Sequence, residues 1–149
     1  ISAKINALSS VENLQSELLK EIFEVIPAQE GGILLVDEND DIDEVFGLNR
    51  LSENQEIVIS QTILNQVLSE KTSILANDVE VNQNLSQAES LFISKTSSVL
   101  CVPLILFEKN IGAIYLATRE GKTVFDESHL RFLTAVAGTS AVAQREALA

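Results

Sequence analysis

Residues 98–117 read SVLCVPLILFEKNIGAIYLA, and this stretch decides the fold. Two mostly apolar runs, 98–107 and 111–117, flank the polar residues 108–110, which is the pattern of an antiparallel β-hairpin. Side chains alternate across a strand, and in the first run both the odd and the even positions are mostly apolar. Both faces of the hairpin therefore need covering, and an antiparallel sheet with helices on each side provides it.

The residues around this hairpin supply the helices and further strands. Apolar residues recur every three or four positions in 11–26, 60–70 and 126–148, which predicts helices, and short apolar runs predict strands at 33–36, 42–48 and 73–76. Capping-box patterns begin at Ser9 and Ser86, Pro27 ends the first helix, and Asp126 is the predicted N-cap of the last. The pattern at Ser86 predicts a short helix through Ile93. The order of these elements predicts an α+β domain.

Composition narrows the functional classes. The chain has 149 residues, 46% of them hydrophobic and 21% charged, which is enough for one domain with a real core. With 10 Lys and Arg against 22 Asp and Glu, its net charge of −12 disfavours direct contact with nucleic acid or an anionic membrane. The single Cys101 and the lack of a spanning segment favour the cytoplasm. Because the sequence starts at Ile1 and contains no methionine, we expect a segment of a longer protein.

The order and spacing of several segments resemble a GAF domain. These segments are Ser98–Leu104, Ile111–Leu116, Phe125, His129–Ala137, Ile26–Ala28, Gly32–Leu35 and Ile74–Val79. The resemblance implies a GAF-like, PAS-related α+β domain over residues 1–149, with about six antiparallel strands and helices on both faces. It also implies a pocket on one face and terminal helices that pair in a homodimer. The sequence of these segments most resembles GAF domains that accompany forkhead-associated domains in bacterial regulators, namely sigma-factor-dependent activators, cyclases or phosphatases.

The better-known chemistries of the family are not expected here. Thr118-Arg119 and His129-Leu130 stand where cyclic-nucleotide-binding members carry Asn-Lys and Asp-Glu. Cys101 lies in a predicted strand, whereas bilin-binding members carry their cysteine in a pocket helix. One cysteine also falls short of the several that methionine sulfoxide reductases of this family use. We therefore expect no cofactor and no enzymatic activity.

Two further features are interpreted as structural. His129, the only histidine, falls at the third position of the last helix and is predicted to cap it or face solvent. The acidic run Asp37–Glu44 invites a calcium loop, but an EF-hand would need glycine at Ile42 and glutamate at Leu48. The run is therefore predicted to be a solvated turn that protects a sheet edge, with no metal bound.

The candidate ligand site consists of polar residues expected around the pocket, with one aromatic wall. They are Asn77, Asp78, Ser90, Phe92, Ser94, Ser98 and Tyr115. Such groups could orient a small molecule in an apolar hollow. The alternative, also open at this point, is that the serines cap helices and Asp78 fixes a turn. The candidate dimer interface is the small-residue stripe of the last helix, represented by Leu133, Ala137, Ala141 and Leu148.

These observations favour a regulatory domain that senses a small molecule. A ligand or neighbouring domain would bias the pocket helices, and the change would pass through the sheet to the terminal helices and a covalently linked output domain. The alternative is a structural dimerisation module that binds no ligand.

Overall fold

The computed structural model describes residues 3–50, 57, 59–77, 96–119 and 124–148. The helices are α1 (Ala3–Val25), α2 (Gln61–Glu70) and α3 (Glu127–Leu148), and the strands are β1 (Glu30–Val36), β2 (Ile42–Asn49), β3 (Ile74–Asn77), β4 (Thr96–Leu106) and β5 (Lys109–Arg119). Within these ranges no helix has the length and hydropathy needed to cross a membrane.

The described strands form one antiparallel sheet in the order β2-β1-β5-β4-β3. Helices α1 and α3 pack on one side, which we call the terminal-helix face, and α2 packs on the other, the α2 face. The predicted α+β fold with helices on both faces is confirmed. Five strands lie in the described part of the chain, one fewer than the resemblance implied and equal to the number that the sequence patterns predict.

The first helix starts earlier than the sequence pattern predicts. Helix α1 begins at Ala3 and passes through Ser9 without interruption, so the capping-box pattern there does not start a helix. A capping serine marks a start only where the preceding backbone leaves helical geometry, and the helix here already includes the six residues before it. The short helix predicted over 86–93 lies outside the described residues.

The β4–β5 turn is tighter than predicted. It consists of Phe107 and Glu108, with φ angles of 52° and 66°, in place of the predicted residues 108–110. Two successive positive φ angles match the right-handed twist of the flanking strands, so a two-residue turn closes the hairpin without splaying it. This geometry leaves the Phe107 side chain 75% exposed at the tip.

A β-bulge between Leu104 and Ile105 sets the register of the long hairpin. Beyond the bulge, Leu104 pairs with Gly112, Cys101 with Tyr115 and Ser98 with Thr118. Because paired residues share a face, the bulge decides which side chains of β4 and β5 lie together.

Alternation divides the interior into two cores. The terminal-helix face buries Leu100, Val102 and Leu104 of β4 with Ile114 and Leu116 of β5, beneath Ile22 and Ile26 from the α1 side and Leu133 of α3. The α2 face buries Val99 and Cys101 with Ala113, Tyr115 and Ala117, beneath Leu64, Val67 and Leu68 of α2. The prediction that both faces of this hairpin are covered is confirmed.

Gly112 should tolerate no side chain. It sits between β1 and β4, and a Cβ added there would overlap the backbone carbonyl oxygen of Leu34. We expect Gly112→Ala to lower the free energy of unfolding by about 1–3 kcal/mol or more, because the sheet backbone would have to move. Urea denaturation measures the change.

The matched control is the same substitution at Gly138, in α3. A Cβ there meets nothing within 4 Å, so Gly138→Ala should raise the free energy of unfolding by up to about 1 kcal/mol through helix propensity. Equal effects of the two substitutions would contradict the close approach at Gly112.

Candidate functional site

Tyr115 ties α2 to the sheet. Its side chain is 1% exposed on the α2 face, and its hydroxyl oxygen accepts a hydrogen bond from the backbone N–H of Ser60 at 3.2 Å. Ser60 is the N-cap of α2, and its Oγ accepts from the backbone N–H of Ile63 at 3.3 Å. The phenol therefore reaches the residue that begins the helix, so movement of α2 and of β5 is linked at this point.

Asn77 and Ser98 meet on the terminal-helix face. Ser98 Oγ donates to Asn77 Oδ1 at 2.5 Å and accepts from the backbone N–H of Phe125 at 3.1 Å. Asn77 Nδ2 in turn donates to the backbone carbonyl oxygen of Phe125 at 3.2 Å. Phe125 lies two residues before α3, so these two side chains fasten the entry of that helix to the sheet.

Of the predicted pocket residues, the structure describes Asn77, Ser98 and Tyr115, and it does not bring these three into one site. Asn77 and Ser98 lie together, but Tyr115 points from the opposite side of the sheet, because the bulge pairs Ser98 with Thr118 and Cys101 with Tyr115. Their hydrogen bonds serve helix starts, which is the structural alternative left open by the sequence. The remaining candidates lie outside the described residues: Asp78, Ser90, Phe92 and Ser94.

Three of the predicted dimer residues are unavailable to a partner. Leu133, Ala137 and Ala141 are at most 4% exposed, and the first two belong to the core on the terminal-helix face. These three side chains are therefore buried inside the chain itself, and pairing of the terminal helices across a dimer stays a prediction. Small side chains on α3 let it approach its own sheet and α1, and sequence spacing alone does not distinguish that packing from packing against a second chain. The side chain of Leu148 lies outside the described part of α3.

A groove runs between α1 and α3 on the outside of this core. Its volume is about 360 Å³, and it is lined mainly by Leu14, Leu18, Phe132, Ala135, Val136 and Thr139, with Glu21 as the one charged residue in the lining. Ala135 and Thr139 are exposed, whereas Leu14, Leu18, Phe132 and Val136 are half-buried. Sequence reasoning singled out small residues of α3 but not the larger side chains of α1 and α3 that line this surface.

A second cavity, of about 690 Å³, lies among the β1–β2 turn, the end of α2 and the β4–β5 turn. Asp37 Oδ1 accepts from the backbone N–H groups of Asn39 at 2.8 Å and Asp41 at 3.1 Å. Asn110 Nδ2 donates to Asp40 Oδ2 at 3.1 Å and to the Leu68 carbonyl oxygen at 2.8 Å. Asp37 and Asp40 thus help to hold the turns. In the part of the chain that the structure describes, no three His, Cys, Asp or Glu residues are grouped to hold a metal.

The two reactive side chains are placed as structural groups. Burial raises the pKa of the Cys101 thiol far above its usual range, so the thiol stays protonated and is a poor nucleophile. His129 Nδ1 accepts from the Asp126 backbone N–H at 3.0 Å, while Asp126 Oδ1 accepts from the His129 N–H at 3.0 Å. Hydrogen bonds from Ser128 Oγ and this backbone N–H lower the pKa of Asp126. His129 caps α3, as predicted.

The model of a family described as GAF domain matches residues 9–143. Among solved structures, the chain is similar to a GAF domain/HD domain protein from Geobacter sulfurreducens, with 12% identity, 93% and 94% of the two chains covered and a TM-score of 0.75. No match was found among curated proteins.

Two further structures are similar at comparable identity. One is the PixJ GAF domain of Thermosynechococcus elongatus in its blue-light-absorbing form, with 13% identity, 97% and 90% coverage and a TM-score of 0.69. The other is the GAF domain of a two-component sensor histidine kinase from Bacillus halodurans, with 17% identity, 93% and 94% coverage and a TM-score of 0.65. At these identities the likeness concerns the fold alone.

The Ser98 relay predicts a specific loss of stability. Ser98→Ala would leave the buried N–H of Phe125 without its acceptor, which costs about 1–3 kcal/mol in the free energy of unfolding. Hydrogen exchange should show the largest loss of protection in the first turns of α3. Ser69→Ala is the control, because the exposed Ser69 hydroxyl donates only a 3.4 Å bond to Gln66 and should change stability little. Uniform loss of protection over the whole sheet would contradict a local role.

Proposed function

We propose, from the premise that this chain belongs to the GAF domain family, that it is a regulatory domain that senses a small molecule. Domains of this family serve sensing and signalling in regulators, and one similar structure is itself part of a sensor histidine kinase. The proposal extends to a bacterial signalling or transcriptional regulator in which residues 1–149 are one domain and α3 leads to a covalently linked output domain.

The observation that carries the proposal is that one hairpin holds the starts of two helices on opposite faces of the sheet. Tyr115 on β5 holds the N-cap of α2, and Ser98 on β4 holds the entry of α3. Tyr115 pairs across the hairpin with Cys101, three residues along β4 from Ser98. A ligand that displaced α2 would therefore move the same strands that anchor α3.

The mechanism is a shift between two populations. A ligand must bind one arrangement of α2 more tightly than another, because only differential affinity moves the equilibrium. The rigid link between the two faces is the antiparallel pairing of β4 with β5, whose register runs without a shift from Ser98 to Leu104. The change reaches α3 at Phe125, the residue held by the relay.

The proposed function involves no catalysis. The cysteine is buried and protonated, and the histidine is engaged at a helix cap. The same proposal includes a cytoplasmic location and no direct contact with nucleic acid or membrane. It also places the domain in a regulator that carries a forkhead-associated domain, such as a sigma-factor-dependent activator, a cyclase or a phosphatase.

The proposal also includes a homodimer, formed through the groove between α1 and α3. At a net charge of −12, two copies repel each other, so they should approach through a surface with few charges. The groove lining has that character, with Glu21 its one charged residue. A module that dimerises in this way and binds no ligand is the alternative function.

A screen distinguishes the sensor from the alternative. Purified chain is mixed with nucleotides, carboxylates and amino acids, and a true ligand at a hundred times its dissociation constant should raise Tm by about 5–10 °C. The ligand should also shift the backbone amide signal of Phe125 in a ¹H–¹⁵N spectrum. In Ser98→Ala the rise in Tm should persist while the shift at Phe125 shrinks. The absence of any stabilising compound, together with native mass spectra of a dimer free of bound species, would favour the structural module.

The dimer is tested by a charge placed in the groove. Ala135→Glu should convert a dimer into a monomer in light scattering, because two added carboxylates would be desolvated in an acidic chain. The control is Val142→Glu, an exposed position on the same helix that does not line the groove, and its mass should stay that of a dimer. A dimer that tolerates both substitutions would contradict pairing through the groove.

A further inference from the structure

Two glutamines face each other between α1 and α3. The side chains of Gln15 and Gln144 are both fully buried. Gln144 Nε2 donates to Gln15 Oε1 at 2.7 Å, and Gln15 Nε2 donates back to Gln144 Oε1. Each amide therefore gives one hydrogen bond to the other and receives one from it, across 129 residues of sequence.

The buried residues around this pair are mostly apolar, and the exception is Ser140, which is 5% exposed and donates its hydroxyl to the Ala137 carbonyl oxygen at 3.3 Å. Leu19 and Ile22 follow Gln15 at four and seven residues, and Ala141 and Ala137 precede Gln144 at three and seven residues. All four are buried at 4% exposure or less. The amides thus occupy positions where apolar side chains would continue each helix's buried face.

Stability alone does not account for such a pair. Burying an amide side chain costs desolvation free energy, and its hydrogen bonds do little more than offset that cost. Replacing both partners of a buried polar pair with apolar residues is therefore often neutral or stabilising. What a polar pair adds is discrimination, because it is satisfied in one alignment and unsatisfied in others.

Discrimination matters here because the α3 side of the contact is weakly specified by shape. Ala137 and Ala141 are identical and four residues apart, so a slide by one helical turn, about 5.4 Å, exchanges one for the other. The same slide would break both amide hydrogen bonds and leave four polar atoms buried without partners.

We propose that the Gln15–Gln144 pair is a register lock that holds α1 and α3 in one alignment, so that the two terminal helices move as one body. This inference goes beyond the proposed function and does not depend on a ligand. It assigns to these residues a positioning role: any change that reaches α3 is passed on by the helix pair together and not by sliding of one helix along the other.

Methionine is the substitution that tests the lock, because it is unbranched like glutamine and apolar. The single variants Q15M and Q144M each leave one buried amide without its partner, so the ratio of folded to unfolded chain should fall about 5- to 30-fold. The double variant Q15M/Q144M should recover most of that loss. Q66M, at an exposed position on α2, is the control and should leave the ratio nearly unchanged.

Register itself is read from the new methyl groups. The sequence contains no methionine, so ¹³C-methyl-methionine labels only the substituted positions, and a start methionine is identified from the unsubstituted chain. In the folded double variant the lock predicts more than one signal, or exchange broadening, for each methyl group, while Q66M gives one sharp signal. Single sharp signals for both methyl groups in the double variant would overturn the proposal.

The unsubstituted chain supplies a measurement that does not depend on any variant folding. The side-chain NH₂ protons of Gln15 and Gln144 should exchange with solvent at least tenfold more slowly than those of Gln66. Equal exchange rates for the three glutamines would show that the pair is not held and would also overturn the lock.

Discussion

The pairing of β4 with β5 is the constraint on which the rest of the molecule depends. β5 is the central strand, with β1 on one side and β4 on the other, and at Gly112 the two neighbours leave no room for a side chain. The bulge between Leu104 and Ile105 shifts the pairs from Leu104–Gly112 to Ser98–Thr118. If the register of the Ile105–Asn110 pair continued along β4 without the bulge, Ser98 would lie opposite Ala117 and on the same face as Tyr115. The bulge separates them.

That separation gives each face of the sheet its own helix attachment. On one face a phenol accepts from the backbone of Ser60, and on the other a serine hydroxyl accepts from the backbone of Phe125. Both attachments use a backbone N–H at or just before the start of a helix, so both fix where a helix leaves the sheet. The hairpin is therefore the shared support of α2 and α3, and this geometry gives physical content to a signal that crosses the sheet.

Much of the fold could be predicted from the sequence because periodicity reports burial directly. The strand predicted at 73–76 and found at 74–77, the N-cap Asp126 and the capping role of His129 all follow from local patterns. The apolar side chain of Phe107 predicts a strand position, whereas the twist of the hairpin places this residue in the turn. The bulge depends on packing among three strands, which no local pattern encodes. Polarity alone therefore groups Ser98 with Tyr115, although the register of the hairpin sets them on opposite faces.

The small residues of α3 are a second case in which a local sequence pattern does not identify the packing partner. A stripe such as Ala137 and Ala141 indicates close approach of two backbones, but it does not identify the second backbone. Here the stripe faces the protein's own core, and larger residues such as Phe132 and Val136 lie half-buried along the outer groove. Close approach also makes the contact smooth and its register weakly defined by shape. A buried polar pair at Gln15 and Gln144 is the kind of feature that such a contact requires if the two helices are to keep one alignment while the outer groove remains open to a second copy.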